Sequence, residues 1–343
     1  MKYKHSRKFV KRFLIAVLLL SSLSSHAQSP WDNFFDHDTL MDKQLGRILI
    51  HVTKSNRKEK KPLLVYIDGS GNYPLFYRKS NGKYNTSVAL DIAAYTKDYT
   101  IVLISKPGTP FSDSLRYDSG KAYYPTNEIY ERSYSLQWRA GAAAKAIDYL
   151  VKHIPVDTKH IIVMGYSEGS QVAPSVAVLN KKVTHVVCFV GNGLNQLYDF
   201  IINVRLDVDR NVITADQGQQ IIDSLYNQYA KIYANPSATD RKWYGATFLK
   251  WSSFSETTPL ENMLKLDIPI LYIAGGKDNN QTIIDMDYVK LEFLRKRKTN
   301  LTYKVYPNSN HGFQETTIKD GKEIKVDRSD EVNRFAIDWT KEN

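Results

Sequence analysis

Short apolar runs alternate with longer amphipathic segments along most of the chain. The apolar runs have the length of buried strands and stop at glycine, proline or polar residues. The seven predicted strands are LGRILIHVTKS (45–55), KPLLVYIDGSG (61–71), DYTIVLISKPG (98–108), KHIIVMGYS (159–167), VTHVVCFVGNG (183–193), DIPILYIAGGKD (267–278) and LTYKVYPNSNHG (301–312). Apolar residues at helical spacing predict helices over 133–152, 169–181, 216–233, 282–296 and 329–342.

This alternation predicts the α/β class, with a parallel sheet covered by helices on both faces. Residues 195–266 break the pattern, because they place a long, partly helical segment between two adjacent strands. We interpret them as an inserted helical cap. The predicted core is then 28–194 and 267–343, preceded by a leader over residues 1–27. The stretch before residue 43 is polar, and we assign no strand to it.

A serine stands between two glycines in the pentapeptide GYSEG, Gly165 to Gly169, at a predicted junction of strand and helix. About one chain in ten of this length contains a GxSxG pattern by chance. The position of the pattern between a strand and a helix is therefore stronger evidence than the pattern itself. At such a junction the glycines permit a tight, strained turn that pushes the hydroxyl of Ser167 out of the sheet. The N–H of Glu168, at the helix start, would stabilise a developing oxyanion.

A serine nucleophile needs a histidine to remove its proton and a carboxylate to orient that histidine. Among the eight histidines, only His311 lies in the last third of the chain, in a loop directly after the final predicted strand. Asp278 follows a buried strand and a pair of glycines. Asp267 precedes its strand, and Asp285 and Asp287 fall in the next helix, so Asp278 is the favoured acid.

The glycine-rich turn DGSG after an early strand is the candidate for a second oxyanion donor, through the N–H of Ser70 or Gly71. One such donor contributes about 3 kcal/mol to transition-state stabilisation. Two other interpretations stay open, an ordinary turn and a dinucleotide loop. The second is disfavoured because Pro74 replaces the third glycine of GxGxxG.

With these residues placed, the chain resembles the α/β-hydrolase superfamily, in particular its prolyl oligopeptidase and dienelactone hydrolase branch. The resemblance covers roughly residues 44–343 and rests on GYSEG, GGKD, NHGF and DGSG. The order serine, aspartate, histidine is that of the superfamily's triads. The resemblance implies an eight-stranded, mostly parallel sheet and hydrolysis of ester, thioester or peptide bonds without metal or cofactor. Asp68 stands where the family usually has a histidine, which changes the local charge.

Two features have more than one interpretation at this point. Glu168 is expected either to face a substrate amine or to form an ordinary ion pair with Lys or Arg. The predicted cap is aromatic, and its rings either line a substrate pocket or form the cap's own core. These aromatic residues are Tyr198, Phe200, Tyr226, Tyr229, Tyr233, Trp243, Tyr244, Phe248, Trp251 and Phe254.

The first 27 residues have a basic start, an apolar run from Phe13 to about Leu20, and small residues at Ser25 and Ala27. This pattern is typical of a cleaved signal peptide, because its apolar run is well short of the length that spans a membrane. We therefore expect an exported protein, periplasmic or secreted, with no stable membrane insertion after cleavage. An uncleaved anchor is the alternative interpretation. The lone Cys188 excludes an internal disulfide framework.

Charge adds little to this interpretation. The formal net charge of +11 falls to about +5 without the six basic residues of the leader. The remaining basic residues are scattered, so we expect no nucleic-acid partner.

The first functional hypothesis is an exported serine hydrolase, an esterase rather than a peptidase, acting on a small-molecule or short-peptide acyl substrate. Ser167, Asp278 and His311 would be catalytic, and Glu168 with Ser70 or Gly71 would form the oxyanion hole. The alternative is a non-catalytic binding protein that keeps the fold and uses the cap as a recognition surface.

Overall fold

The computed structural model describes residues 29–54 and 59–343. The predicted leader, 1–27, lies outside the described residues. Within them, the strands are β1 Phe35–Asp42, β2 Gly46–Thr53, β3 Lys61–Ile67, β4 Phe76–Arg78, β5 Tyr84–Thr86, β6 Thr100–Ile104, β7 Ser112–Ser114, β8 Arg116–Asp118, β9 Lys121–Tyr123, β10 Val156–Tyr166, β11 His185–Phe189, β12 Lys242–Trp243, β13 Ala246–Thr247, β14 Ile270–Gly275, β15 Leu301–Tyr306, β16 Gln314–Lys319 and β17 Lys322–Asp327.

Helices separate most of the longer strands. In the described ranges the α-helices are α1 Ile92–Tyr95, α2 Glu128–Ser133, α3 Leu136–His153, α4 Glu168–Leu179, α5 Gln196–Asp209, α6 Ala215–Ala234, α7 Phe248–Glu256, α8 Pro259–Leu264, α9 Ile283–Arg295 and α10 Ser329–Glu342, with one 3-10 turn at Asp32–Phe34. Many begin at a side-chain cap, which satisfies amide groups that the first helical turn leaves free. Ser135 caps α3 and Thr214 forms a capping box on α6.

The largest sheet has eight strands in the order β1-β2-β6-β3-β10-β11-β14-β15. The pairs of β2 with β1 and with β6 are antiparallel, and the other five pairs are parallel. The predicted mostly parallel, eight-stranded sheet is therefore confirmed. Parallel neighbours need crossover connections, and α3, α4 and α9 lie in the connections between them.

Alternate residues of the central strands point to opposite faces of this sheet. Leu63 and Val65 belong to one buried cluster, which includes residues of α3, α4 and α9. Leu64 and Tyr66 belong to the other, which includes residues of α1 and α10. Because both faces are covered, the central strands are apolar at nearly every position, which is why the sequence showed them clearly.

One part of the sequence interpretation was wrong. The polar stretch before residue 43 is not free of strands, because Phe35–Asp42 forms the edge strand β1. Its residues alternate between more and less buried positions, and only Phe35 is fully buried. An edge strand with one covered face carries polar residues on the other face, and so it lacks the continuous apolar run used to find its neighbours.

Residues 195–266, the predicted cap, contain α5, α6, α7, α8 and the short hairpin β12-β13. Leu197, Tyr229, Ile232, Phe248 and Trp251 form a separate buried cluster within this segment. The division into core and cap stays a prediction. No described helix combines the length and the apolar character that crossing a membrane requires.

Four loops bring polar or glycine residues to the carboxyl end of the parallel strands. They follow β3, β10, β14 and β15, which lie near one another in the sheet. In open parallel sheets ligands bind at this edge. The fold therefore places all the predicted site residues on one side of the molecule.

Candidate active site

The structure brings the three residues of the predicted triad into hydrogen-bond contact. Asp278 Oδ2 lies 2.7 Å from His311 Nδ1, and His311 Nε2 lies 3.1 Å from Ser167 Oγ. Because an ionised carboxylate only accepts hydrogen bonds, Nδ1 carries the proton and Nε2 is free to accept the serine proton. This arrangement can act as a proton relay from Ser167.

The backbone at Ser167 is strained. Its φ of 55° and ψ of −122° lie in a region that residues with side chains rarely adopt. A Cβ on Gly165 would lie 2.1 Å from the carbonyl oxygen of Gly169, and one on Gly169 would lie 2.1 Å from that of Ile67. Both flanking glycines are therefore required by close backbone contacts, as the GxSxG pattern predicts.

Asp278 is held in place by its own loop. Its side chain is fully buried, and Oδ1 accepts hydrogen bonds from the backbone N–H groups of Asn280 and Gln281 at 2.8 and 3.0 Å. These bonds fix the carboxylate while Oδ2 contacts His311. The loop of His311 is fixed in turn by Tyr166, whose hydroxyl donates to the His311 carbonyl at 2.6 Å.

The other aspartates considered from the sequence lie elsewhere. Asp267 forms a surface ion pair with Lys298, and Asp287 accepts a hydrogen bond from Tyr303. Asp285 is buried in the first turn of α9 and does not contact His311. The structure therefore brings Asp278, and not these three, to the histidine.

The oxyanion candidates surround the serine. Ser70, Gly71 and Glu168 line the same cavity as Ser167, and among the described residues their backbone N–H groups donate to no acceptor. The carbonyl of Gly69 accepts from Arg139 Nη1 at 3.4 Å. In a trans peptide the N–H of Ser70 then points the opposite way, so the Ser70 amide is the better-supported second donor.

The cavity has a volume of about 420 Å³ and opens between the sheet edge and residues 196–251. Phe200, Tyr244 and Trp251 line it, whereas Tyr229 and Phe248 do not and belong to the separate buried cluster. Both interpretations of the aromatic residues therefore apply: some line the cavity, some form the cluster, and Phe200 also packs against the cluster. Trp251 does both, since it packs in the cluster and also reaches the cavity.

Five ionisable side chains form a buried network beneath the cavity, which we call the buried charge group: Asp68, Lys106, Arg139, Glu168 and Lys250. Asp68 pairs with Lys106 at 2.5 Å and with Arg139 at 2.6 Å. Glu168 pairs with Lys250 at 3.0 Å and with Arg139 at 3.6 Å. Arg139 also donates to the carbonyl of Asp68 at 2.8 Å, so the network holds the oxyanion loop.

The buried charge group explains the roles of Glu168 and Asp68, which the sequence alone left open. Glu168 forms ion pairs with Arg139 and Lys250, and it also accepts hydrogen bonds from Tyr134 and Gln196. Asp68, in the place of the family's histidine, is neutralised by two cations.

Burial works against each charge in this network. Burial alone raises the pKa of Glu168, but the charges of Lys250 and Arg139 outweigh it, and the pKa falls to about 2. Burial lowers the pKa of Lys106 and of Lys250 despite their acidic partners. Buried ions are tolerated only when each has such partners, so loss of one member exposes the others to an uncompensated penalty.

Sequence reasoning missed Arg139, Lys106, Lys250 and Tyr166 as parts of the site. Arg139 had a usable signal, because helical spacing places it on the same face as Ala142, Ala143 and Ala146 of an alanine-rich helix. Lys106 and Lys250 had none, because lysines in loops and amphipathic helices are usually solvated.

The part of the chain that contains the candidate triad matches a known family. The model of the family described as "BAAT / Acyl-CoA thioester hydrolase C terminal" matches residues 143–314, half of the chain. The chain belongs to this family. The match includes Ser167, Asp278 and His311. No curated protein sequence matches the chain.

Solved structures share the fold at low identity. The chain is similar to a puromycin-hydrolyzing peptidase of Mycobacterium tuberculosis, with 15% identity, a TM-score of 0.50 and coverage of 82% of this chain and 37% of that one. It is also similar to dipeptidyl peptidase 4 of Porphyromonas gingivalis, with 12% identity, a TM-score of 0.52 and coverage of 90% of this chain and 35% of that one. A third similar structure is the acylaminoacyl peptidase of Pyrococcus horikoshii, with 13% identity, a TM-score of 0.51 and coverage of 81% of this chain and 38% of that one.

This family member spans little more than a third of the length of those peptidases. At such identities the likeness establishes the fold. The resemblance to the α/β-hydrolase superfamily, drawn from GYSEG, GGKD and NHGF, is confirmed by the family match and the shared fold. The choice of esterase over peptidase is not decided by these comparisons.

The low pKa of Glu168 predicts an acid-sensitive contribution to stability. Its carboxylate stabilises the fold fully above the unfolded-state pKa near 4.5, and this contribution is lost as the pH falls towards 2. We expect Glu168→Gln to lower the free energy of unfolding at neutral pH and to flatten its decline between pH 4.5 and 2. Urea unfolding at several pH values, followed by tryptophan fluorescence, measures both effects.

Glu128→Gln is the matched control, because Glu128 pairs with Arg132 on the exposed surface. It should keep the wild-type pH dependence. If Glu168→Gln and the wild type lose stability in parallel as the pH falls, the assignment of a buried, ionised Glu168 is wrong.

Proposed function

We propose that the protein is an exported serine hydrolase that cleaves an acyl bond through Ser167, His311 and Asp278. The observation that carries the proposal is the continuous hydrogen-bonded chain from Asp278 through His311 to Ser167. The cavity in front of Ser167, with free N–H groups at Ser70 and Glu168, supports it further.

In the first half of the reaction Ser167 Oγ forms a bond to the carbonyl carbon of the substrate, and its proton passes to His311 Nε2. Negative charge develops on the carbonyl oxygen, where the N–H groups of Glu168 and Ser70 stabilise it. Asp278 stabilises the imidazolium by accepting from Nδ1. The carbon–heteroatom bond then breaks, and His311 gives its proton to the leaving group.

The second half repeats these steps with water. His311 Nε2 takes a proton from water, the hydroxide oxygen bonds to the acyl carbon, and the ester bond to Ser167 breaks. The proton on His311 returns to Ser167 Oγ, which leaves a carboxylic acid and the free enzyme. No step in this cycle requires a metal or cofactor.

For the bond cleaved, we favour an ester or thioester over a peptide. The family's description names an acyl-thioester hydrolase, and this family match covers the catalytic residues. The peptidases resemble this chain in fold, at 15% identity or less. A good leaving group also makes the smallest demand on His311 as an acid.

Reaction with a fluorophosphonate tests the proposed nucleophile. We expect stoichiometric labelling of Ser167, because only an activated serine reacts readily with this probe. Ser167→Ala should lose labelling and lower kcat for a short 4-nitrophenyl ester by at least ~10³-fold. Peptide mass spectrometry and steady-state kinetics measure the two outcomes.

Asp278→Asn and Ser80→Ala serve as comparisons. The first should lower kcat by about 10⁴-fold while the protein stays folded, because the histidine loses its correct tautomer. Ser80 lies on the surface, so Ser80→Ala should label like the wild type. Undiminished ester cleavage by Ser167→Ala would refute the proposal.

Export is a separate part of the proposal and rests on residues 1–27. We expect cleavage after Ala27 when the full chain is expressed in a Gram-negative host. N-terminal sequencing of the periplasmic or secreted protein would detect it, and Ala27→Arg should block it. A cytoplasmic protein with an intact N-terminus would overturn the export proposal without affecting the chemistry.

A further inference from the structure

Three carboxylates line the cavity in front of Ser167, and they differ in their partners. Glu131 pairs with Lys242 at 2.5 Å, and Glu168 belongs to the buried charge group. Asp199 also lines the cavity, but within the described residues it forms no ion pair. Both lysines at the cavity are already paired with glutamates. Asp199 is therefore the one acid of this wall that lacks a cation.

Asp199 is buried together with a second carboxyl group. It lies in the first turn of α5 and is 5% exposed, and it interacts directly with Asp285, which is 1% exposed in the first turn of α9. Asp285 Oδ2 accepts from the N–H of Leu194 at 3.3 Å. Among the residues described, the largest influences on the two carboxyl groups come from burial, from each other and from Asn192, Gly193, Leu194 and Asp278, none of which is a cation.

Acceptor oxygens without donors are concentrated around this pair. Asp199 and Asp285 share a side-chain hydrogen bond, which requires that one of the two carboxyl groups is protonated. Apart from this shared proton, Asp199 Oδ1 and Asp285 Oδ1 have no hydrogen-bond partner in the described structure. Asn192 is fully buried, and it donates to Asp199 through Nδ2 at 2.6 Å while its own Oδ1 also lacks a donor. Gln281, which lines the same cavity as Asp199, has a buried Oε1 that also lacks a hydrogen-bond donor in the described structure.

Such a set of acceptors is costly unless a donor satisfies it, because each buried unpaired polar atom carries a desolvation penalty. Burial raises the pKa of both aspartates, and the charge of Asp285 raises that of Asp199 further. A bound group with positive charge and several N–H donors would neutralise the buried negative charge and would also pair with the acceptor atoms that lack donors. A primary ammonium has this character, with three donors and no acceptor.

We propose that Asp199, supported by Asp285, Asn192 and Gln281, binds a primary ammonium group carried by the substrate. The proposal rests on the proposed function, since it takes the cavity at Ser167 as the substrate site. It assigns the substrate class as amine-bearing acyl compounds. The aromatic walls formed by Phe200, Tyr244 and Trp251 would pack against the carbon skeleton beside the ammonium.

Calorimetric binding of matched small molecules tests this without requiring turnover. Benzylamine and phenethylamine are compared at neutral pH with benzyl alcohol and phenethyl alcohol, which differ mainly in replacing the ammonium by a hydroxyl. We expect at least one amine to bind the wild type about tenfold more tightly than its alcohol, as a charge-assisted contact would give. Asp199→Asn should reduce that ratio to within about twofold.

Glu131→Gln is the matched control, because it removes a cavity carboxylate that already has a lysine partner. It should keep the amine preference. Equal affinity for amine and alcohol in the wild type, or an unchanged preference in Asp199→Asn, would overturn the inference, as would an equal loss in Glu131→Gln. Fluorophosphonate labelling of Ser167 separates the failures, since a labelled protein without amine preference refutes only this inference.

Discussion

Between the end of β10 and the start of α4 the backbone passes so close to itself and to β3 that only glycine fits on either side of Ser167. A Cβ at Gly165 would meet the carbonyl of Gly169, and one at Gly169 would meet that of Ile67. Ser167 has a positive φ in this turn, and its hydroxyl lies at the carboxyl edge of the sheet. The hydroxyl of Ser167 is the group that His311 contacts. The amide of Glu168 and the cavity lie next to this same hydroxyl.

A group of buried ions lies against the strained turn and the loop after β3. Arg139 donates to the carbonyls of Asp68 and Gly69 and also pairs with Glu168, the residue after Ser167. One guanidinium thus connects both sides of the candidate oxyanion site, which its planar set of donors makes possible. A network of this kind adds little to the net free energy of folding. It favours one arrangement of the loops, because any other arrangement would leave buried charges without partners. We regard it as the positioning device of the site.

The triad and the glycine turns could be predicted from the sequence because each depends on local, ordered signals. Ser167, Asp278 and His311 each follow an apolar strand, and parallel strands bring such positions together. The edge strand β1 could not be found in this way, since an alternating polar strand looks like a loop when its partner is unknown. The partners of Arg139 and Asp199 were equally hidden, because they come from segments far apart in the chain.

The most direct test of the central claim is to isolate the acyl-enzyme. A bulky ester such as 4-nitrophenyl 2,2-dimethylpropanoate slows deacylation, and acid quenching followed by peptide mass spectrometry then locates the acyl group. The account predicts a burst of about one nitrophenolate per protein molecule and a pivaloyl group on Ser167. Hydrolysis by the folded protein with no burst, or with the acyl group on another residue, would contradict it.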